Sequence, residues 1–342
     1  MRGFSFEDMR ATVFSPDTQS PAQPRTKWVS NKWRLLCLAL TVAALCFVFH
    51  RIPARNLLET IRSMRVGWFI AAVALYGLMF LPASRRWLLA LRANDSVVTV
   101  PATIRFSIIG HFFYLVLFGA AGGDTAKAAV YARRYNWPLA KILASVSLDR
   151  LMGSGALIVV AGLAFFIAGT HGAFSGPRSL SIRHSAWWLL LFVPVIILAL
   201  IFLRRSQRDS MARRFVMAFV ESGKRLLKSP KVVLTGFVCS LLMQFAVNAV
   251  LAINLQAICH APIPWLKLVW TFPLITAVSG LPITFAGIGA RDGAAIALLG
   301  LCGIAAADAE AVSLLTLCVS AFWGLVGGLV LWRESSAEGK QI

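Results

Sequence analysis

Three short passages place ionisable side chains inside otherwise apolar sequence. They are Gly119-Ala-Ala-Gly122-Gly123-Asp124-Thr125-Ala-Lys127, the pair Asp149-Arg150, and Pro282-Ile-Thr284-Phe-Ala-Gly287-Ile-Gly289-Ala-Arg291-Asp292-Gly293. Asp149 and Arg150 lie about a third of the way into an apolar segment, where an unpartnered charge costs a few kcal/mol. Such groups are functional candidates by default, with structural pairing to a neighbouring helix as the rival. The two glycine passages each run into an alanine-rich, helix-forming stretch. Asp124 and Asp292 are expected near those helix starts, where a carboxylate can bond free backbone N–H groups. Lys127, Tyr131 and Arg134 follow at i, i+4 and i+7, a cationic stripe suited to a lipid phosphate. The competing explanations are ordinary: glycines that permit close helix packing, and lysines and arginines that merely mark the cytoplasmic side.

The remaining chemistry is sparse. Of the five histidines only His111 falls within a hydrophobic segment away from its ends, and a structurally satisfied imidazole is the simpler reading. Gln244 and Asn248 share one face of a long apolar segment and either line a cavity or join helices. Ser154, between two glycines, has no histidine placed to activate it. The Gly287-x-Gly289 passage puts Asp292 where a dinucleotide fingerprint needs glycine, and no P-loop is present. The six cysteines show no metal spacing and read as reduced apolar filler. No catalytic residue, metal or cofactor is therefore assigned, and the pattern favours a transporter-like protein over an enzyme.

The elements that must position these residues follow from composition. Of 342 residues 58% are hydrophobic and 14% charged, and the mean hydropathy of +0.74 excludes an ordinary soluble domain. The net charge of +20 would suit nucleic acid on a polar domain, but the basic residues sit between apolar segments, as in a polytopic membrane protein. Eight such segments occur, at 33–50, 66–83, 100–120, 138–168, 186–203, 232–258, 266–284 and 308–332. The segment 100–120 is interrupted by Arg105, Ser107, Gly110 and His111, and 266–284 by Pro273, Gly280 and Pro282; both read as re-entrant hairpins. The expected fold is all-α, with six full crossings and two hairpins entering from opposite sides, the two halves forming an inverted repeat.

Residues 1–32, rich in Pro, Ser, Thr and Arg, read as a disordered basic tail, 33–333 as the transmembrane domain and 334–342 as a short C-terminal tail. The halves, 66–203 and 232–333, are joined by 204–231, which holds nine basic residues and is placed in the cytoplasm with both termini. Its Met211, Phe215, Ala218, Phe219 and Leu226 recur at helical spacing, so it either lies along the inner leaflet or is a solvated connector. The four arginines between Arg51 and Arg65 fit this topology poorly.

These residues resemble the lysylphosphatidylglycerol synthase transmembrane family, a flippase-like domain found at the N-terminus of the bacterial multiple peptide resistance factor and as stand-alone proteins. The resemblance covers roughly 35–333 and rests on four passages: Phe118-Gly119 through Asp124 leading to Arg133-Arg134, Ser147-Leu148-Asp149-Arg150-Leu151, Leu281-Pro282, and Gly287-Ile288-Gly289 with Arg291-Asp292-Gly293. It implies a bacterial inner-membrane protein that moves or handles a polar lipid, such as aminoacylated phosphatidylglycerol, a polyprenyl-phosphate sugar or a hopanoid-type lipid. Gly122, Gly123, Asp124, Lys127 and Arg134 with Gly287, Gly289, Arg291 and Asp292 would form the head-group site, tuned by Asp149 and Arg150, with His111, Gln244 and Asn248 lining it. Two departures stand out: no aminoacyl-transferase domain follows, and Asp292 stands where the family is expected to carry glutamate. The alternatives are a membrane-embedded lipid-modifying enzyme, or an accessory subunit presenting lipid to a glycosyltransferase or synthase. Membrane lipids are the expected partners and nucleic acid is not.

Overall fold

The computed structural model describes residues 62, 64–96, 98–117, 120–170, 211–259, 262–279 and 290–337. The tail 1–32, the segments 33–50 and 186–203, the histidines other than His111, and the site candidates Gly287 and Gly289 lie outside them. The described residues are helical: α1 (Val66–Leu78), α2 (Phe80–Ala93), α3 (Val100–Val116), α4 (Ala120–Tyr135), α5 (Leu139–Thr170), α6 (Met211–Leu227), α7 (Pro230–Ile258), α8 (Trp265–Ser279), α9 (Ala290–Leu301) and α10 (Ala306–Ala337).

Length and hydropathy divide these helices into two kinds. Four stretches are long and apolar enough to cross a membrane: Val66–Ala93, which joins α1 to α2, Leu139–Ile167, Pro230–Ile258 and Ala306–Glu334. The apolar helices α3 and α8 have 17 and 15 residues, so at ~1.5 Å per residue they fall short of the ~30 Å hydrocarbon core. The chain is thus an all-helical, polytopic membrane protein. Its element order is the same twice over: a long span, a short apolar helix, a short helix opening near a charged motif, and a second long helix of 32 residues. The first span also runs beyond the apolar segment 66–83 read from the sequence: the apolar run Trp87-Leu88-Leu89-Ala90-Leu91 carries it on to Ala93 and buries Arg86 within it.

Polar contacts fix which helix ends lie together. At one end of the bundle, Glu334 near the end of α10 pairs with Arg105 at the start of α3 (3.6 Å) and with Arg134 at the end of α4 (3.4 Å). The α3–α4 unit therefore enters and leaves at the same end. At the opposite end, the Arg65 guanidinium donates to the carbonyls of Gln256 and, at 2.9 Å, Cys259, covering the exposed carbonyls that close α7. That contact gives one of the arginines between 51 and 65 a structural use. Cys259, just after α7, meets Asp308 in the first turn of α10 (3.9 Å) at this same end, and Thr271, midway along α8, meets Cys302 just after α9 (3.2 Å). Gly303, with φ +84°, makes the turn from α9 into α10 in the left-handed region that glycine occupies without strain.

The long helices carry both hairpins. Going down α10, Ser313 meets α9, Ser320 meets His111 of α3, Gly327 lies against the Ile108 carbonyl of α3, and Glu334 reaches the α3–α4 base. Along α5 the order is complementary: Arg150 meets α4, and Ala164 lies in the core with Leu251, Leu268, Phe272 and Leu299. A second core gathers Trp87, Phe106, Phe112, Tyr131, Ile142 and Leu331. Cys239, Cys259 and Cys302 are buried free thiols, and Cys318 is half-buried.

The amphipathic α6 docks beside the ends of α2, α5 and α7. Ser222 donates to the Asn94 side chain (2.6 Å), and Leu226 and Phe219 pack with Ala90 and Leu148. Arg225 clasps Asp95 (2.5 Å) and Glu221 (2.6 Å), and these hydrogen bonds raise its already high pKa. Asp95 and Asn136, both at positive φ, end α2 and α4 in the conformation that Asp and Asn tolerate best among non-glycine residues.

Candidate functional site

The adjacent residues Asp149 and Arg150 project to different partners, about 100° apart around α5. Asp149 receives a two-pronged ion pair from Arg86, with Nε to Oδ1 at 2.7 Å and Nη2 to Oδ2 at 3.1 Å. The third Arg86 nitrogen donates to Ser240 on α7 (3.1 Å), and both charged side chains are less than a tenth exposed. Gly153 gives the room: a Cβ there would stand 2.8 Å from Arg86 Nη1. This closed clasp ties α2, α5 and α7 together, which is the structural pairing weighed above for Asp149.

Arg150 instead pairs with Asp124 of α4, and Asp124 also faces Lys127 (3.7 Å). Lys127 is buried, its ammonium 4.2 Å above the Trp87 ring, a cation–π contact that partly replaces lost hydration. Trp87 in turn donates to Ser145 (3.3 Å) and meets Tyr131 edge to face, whose hydroxyl bonds Ser96 (2.7 Å). Arg86, Asp124, Lys127, Asp149 and Arg150 thus form one group of five charges, three positive and two negative, so one positive charge is in surplus within it. Lys127 interacts electrostatically with each of the other four.

The local reason for α4 differs from the sequence expectation. The helix starts at Ala120, so Gly122 and Gly123 lie inside it and Asp124 is spent on Arg150 and Lys127 rather than on capping. Close packing explains the glycines. A Cβ on Gly123 would stand 2.8 Å from the Gly110 carbonyl and 2.9 Å from the Tyr114 nitrogen, and one on Gly122 would collide with the Leu117 carbonyl. Small residues at both positions let α3 and α4 fold back on one another. Lys127 and Arg134 part company despite their shared stripe, because Arg134 pairs with Glu334 at the helix base.

At the second motif Asp292 does fall in the first turn of its helix, α9. Ser313 of α10 links the pair, accepting from Arg291 Nε (2.8 Å) and donating to Asp292. About two turns down α10, Ser320 meets His111 Nε2 at 3.1 Å, and the Tyr76 hydroxyl lies 3.4 Å from the same nitrogen. The His111 ring stacks on Tyr114. Ser313 and Ser320 are seven residues, roughly 10 Å, apart along α10, so the inner ends of the two hairpins approach each other there. Tyr114 spans that approach, its hydroxyl interacting electrostatically with both Arg150 of the first half and Arg291 of the second. Asn248 takes the helix-joining role, accepting from Thr276 of α8 (2.9 Å), with Gln244 half-buried one turn earlier.

Arg150 is the most accessible member of the charged group, its side chain 52% exposed against 16% for Asp124 and 9% for Lys127. It lies about 150° around α5 from the middle of the stripe formed by exposed Leu151, Ile158, Val159, Leu163 and Phe166. Eleven residues beyond Leu139, it sits roughly 16 Å along the helix. That guanidinium is half-exposed and turned away from the middle of the apolar stripe.

Sequence reasoning missed Arg86, Trp87, Tyr114, Ser313 and Glu334. The signal for Arg86 was partial: the apolar run continues past Arg85 and Arg86, so one helix carries both, but packing alone decides that Arg86 is buried against Asp149 while Arg85 is exposed. Ser313 and Tyr114 carry no such signal.

A comparison with protein-family models matches residues 34–328 to the family described as Lysylphosphatidylglycerol synthase TM region. A comparison with curated proteins gives no match.

Proposed function

The chain belongs to the Lysylphosphatidylglycerol synthase TM region family, a lipid-related membrane family, and from that premise we propose that it is a flippase or lipid-transfer protein for a lipid with an anionic head group. The observation that carries this reading is Arg150: half-exposed, well along α5, turned away from the exposed apolar stripe of that helix, in a charged group with one positive charge in surplus. A phosphate beside it would balance that surplus through charge-assisted hydrogen bonds worth roughly 1.5–3 kcal/mol each. Arg291, on the other side of Tyr114, would receive the same head group from the second half, and Asp292 would hold a cationic substituent if the lipid carries one.

The twofold recurrence of element order, with hairpins based at opposite ends of the bundle, supports an inverted repeat in which α3–α4 and α8–α9 are re-entrant. In that arrangement the hairpin ends meet near mid-membrane, and rocking of the halves would open the space around Tyr114 to each leaflet in turn while acyl chains stay in lipid. Bacterial inner membrane is the expected location, with the α6 end facing the cytoplasm. The Arg86–Asp149 clasp, closed on itself, acts as the pivot of the first half rather than as a ligand.

The test is to purify the protein in lipid nanodiscs and identify co-purifying lipid by mass spectrometry for wild type and Arg150→Gln. Wild type should enrich one anionic lipid class, and the variant should lose that enrichment by about tenfold or more, the loss of one charged hydrogen bond. The identified lipid, as a fluorescent analogue in proteoliposomes, should then move between leaflets faster with wild type than with the variant. Equal lipid profiles for the two proteins would refute the reading.

A further inference from the structure

The three faces of α6 point to a second lipid contact, separate from the head-group site. Phe215, Phe219, Ser222 and Leu226, at i, i+4, i+7 and i+11, form the stripe that faces the bundle, where Ser222 and Leu226 are buried. About a third of a turn away around the helix, Val220 and Leu227 form an exposed apolar flank, 45% and 74% exposed. Beyond that flank lie exposed Arg213, Arg214, Lys224 and Lys228, with Glu221 and Arg225 already joined to each other. Bundle, apolar flank and basic face therefore follow one another around a single helix.

That order is what a helix lying in a membrane interface requires. The apolar flank enters the acyl boundary while the basic face meets phosphates at its edge. Placement agrees: α6 packs where α2 ends and α5 and α7 begin, at the bundle end that also holds Arg105 and Arg134. We infer that α6 is an interfacial binding surface for anionic phospholipid, with Arg214, Lys224 and Lys228 as the head-group contacts and Val220 and Leu227 inserted beside the acyl chains. Charge complementarity selects the partner, since the accessible charges of this face are positive and its one carboxylate is taken. Two side-chain links, Ser222 to Asn94 and Arg225 to Asp95, join the helix to the end of α2, the helix that carries Arg86 and Trp87. Neither link depends on what lipid, if any, Arg150 binds.

The experiment uses the full chain in nanodiscs, with Val220→Cys carrying an environment-sensitive fluorophore and acyl-brominated phosphatidylglycerol or phosphatidylcholine as quencher at equal fractions. Phosphatidylglycerol should quench several-fold more strongly at low salt, and the preference should vanish near 1 M salt, where the Debye length is ~3 Å. In the triple variant Arg214→Gln, Lys224→Gln, Lys228→Gln the several-fold preference should fall to near parity between the two lipids, while quenching by phosphatidylcholine persists. Equal quenching by the two lipids in the wild-type background would overturn the anionic preference. Absence of quenching by either would overturn the interfacial placement. Because the readout sits on α6, a failure of the Arg150 reading leaves these outcomes unchanged, and the reverse also holds.

Discussion

Removing the Asp149 carboxylate should unfold the protein far more readily than removing the whole clasp. In Asp149→Asn the Arg86 guanidinium, 7% exposed, keeps Ser240 and at most one neutral hydrogen bond to the new amide oxygen, and loses its counter-charge and the two charged hydrogen bonds at 2.7 and 3.1 Å. A unit charge pair about 4 Å apart in a medium of effective dielectric ~20 is worth ~4 kcal/mol, and broken buried pairs cost about 3–5 kcal/mol by experience. Replacing both partners with apolar side chains, as in Arg86→Met with Asp149→Leu, removes the uncompensated charge and should lie within roughly 1 kcal/mol of wild type or above it. Thermal unfolding in detergent, followed by reaction of the buried thiols Cys239, Cys259 and Cys302 with a maleimide dye, reports both effects. The single variant should expose those thiols at a markedly lower temperature and the double variant near the wild-type temperature. A double variant as unstable as the single one, or a single variant as stable as wild type, would refute the clasp as a structural pivot.

Other expectations follow from the same geometry. Gly123→Ala should cost about 1–3 kcal/mol, because its Cβ meets backbone atoms of α3 at 2.8 and 2.9 Å, whereas Gly155→Ala, with nothing within 4 Å, should gain roughly 0.5–1 kcal/mol; thermal unfolding separates them. Lys127→Met should keep the fold to within about 1.5 kcal/mol, since the methionine stem still covers Trp87. It also makes the five-charge group neutral, and co-purification should show the anionic preference lost without loss of protein; a retained preference would contradict the charge argument. For the hairpins, single cysteines at Lys228 and Glu334 should react with an impermeant thiol reagent from one side of sealed vesicles, and one at Asp308 from the other. Labelling of Asp308→Cys and Glu334→Cys from the same side would exclude α10 as a crossing.

Much of the architecture follows from the sequence because hydrocarbon imposes a strict rule: a crossing needs about 20 apolar residues, and shorter or interrupted runs cannot expose their backbone to lipid. The lengths of 66–83, 138–168, 232–258 and 308–332 therefore announced long spans, and the interruptions in 100–120 and 266–284 announced something shorter. The family was legible from glycine and charge passages whose order is preserved along the chain, and the split of α6 into apolar and basic stripes needed only helical periodicity. Tertiary structure alone decided which charge meets which. Asp149 and Arg150 are neighbours in sequence, yet α5 turns one toward Arg86, 63 residues earlier, and the other toward Asp124. Lys127 and Arg134 share a stripe, yet one is buried against Trp87 and the other reaches Glu334, 200 residues later. Helical periodicity assigns a direction around an axis, but the identity of the partner depends on which helix packs there and at what height. That is settled by long-range packing, which no local pattern contains.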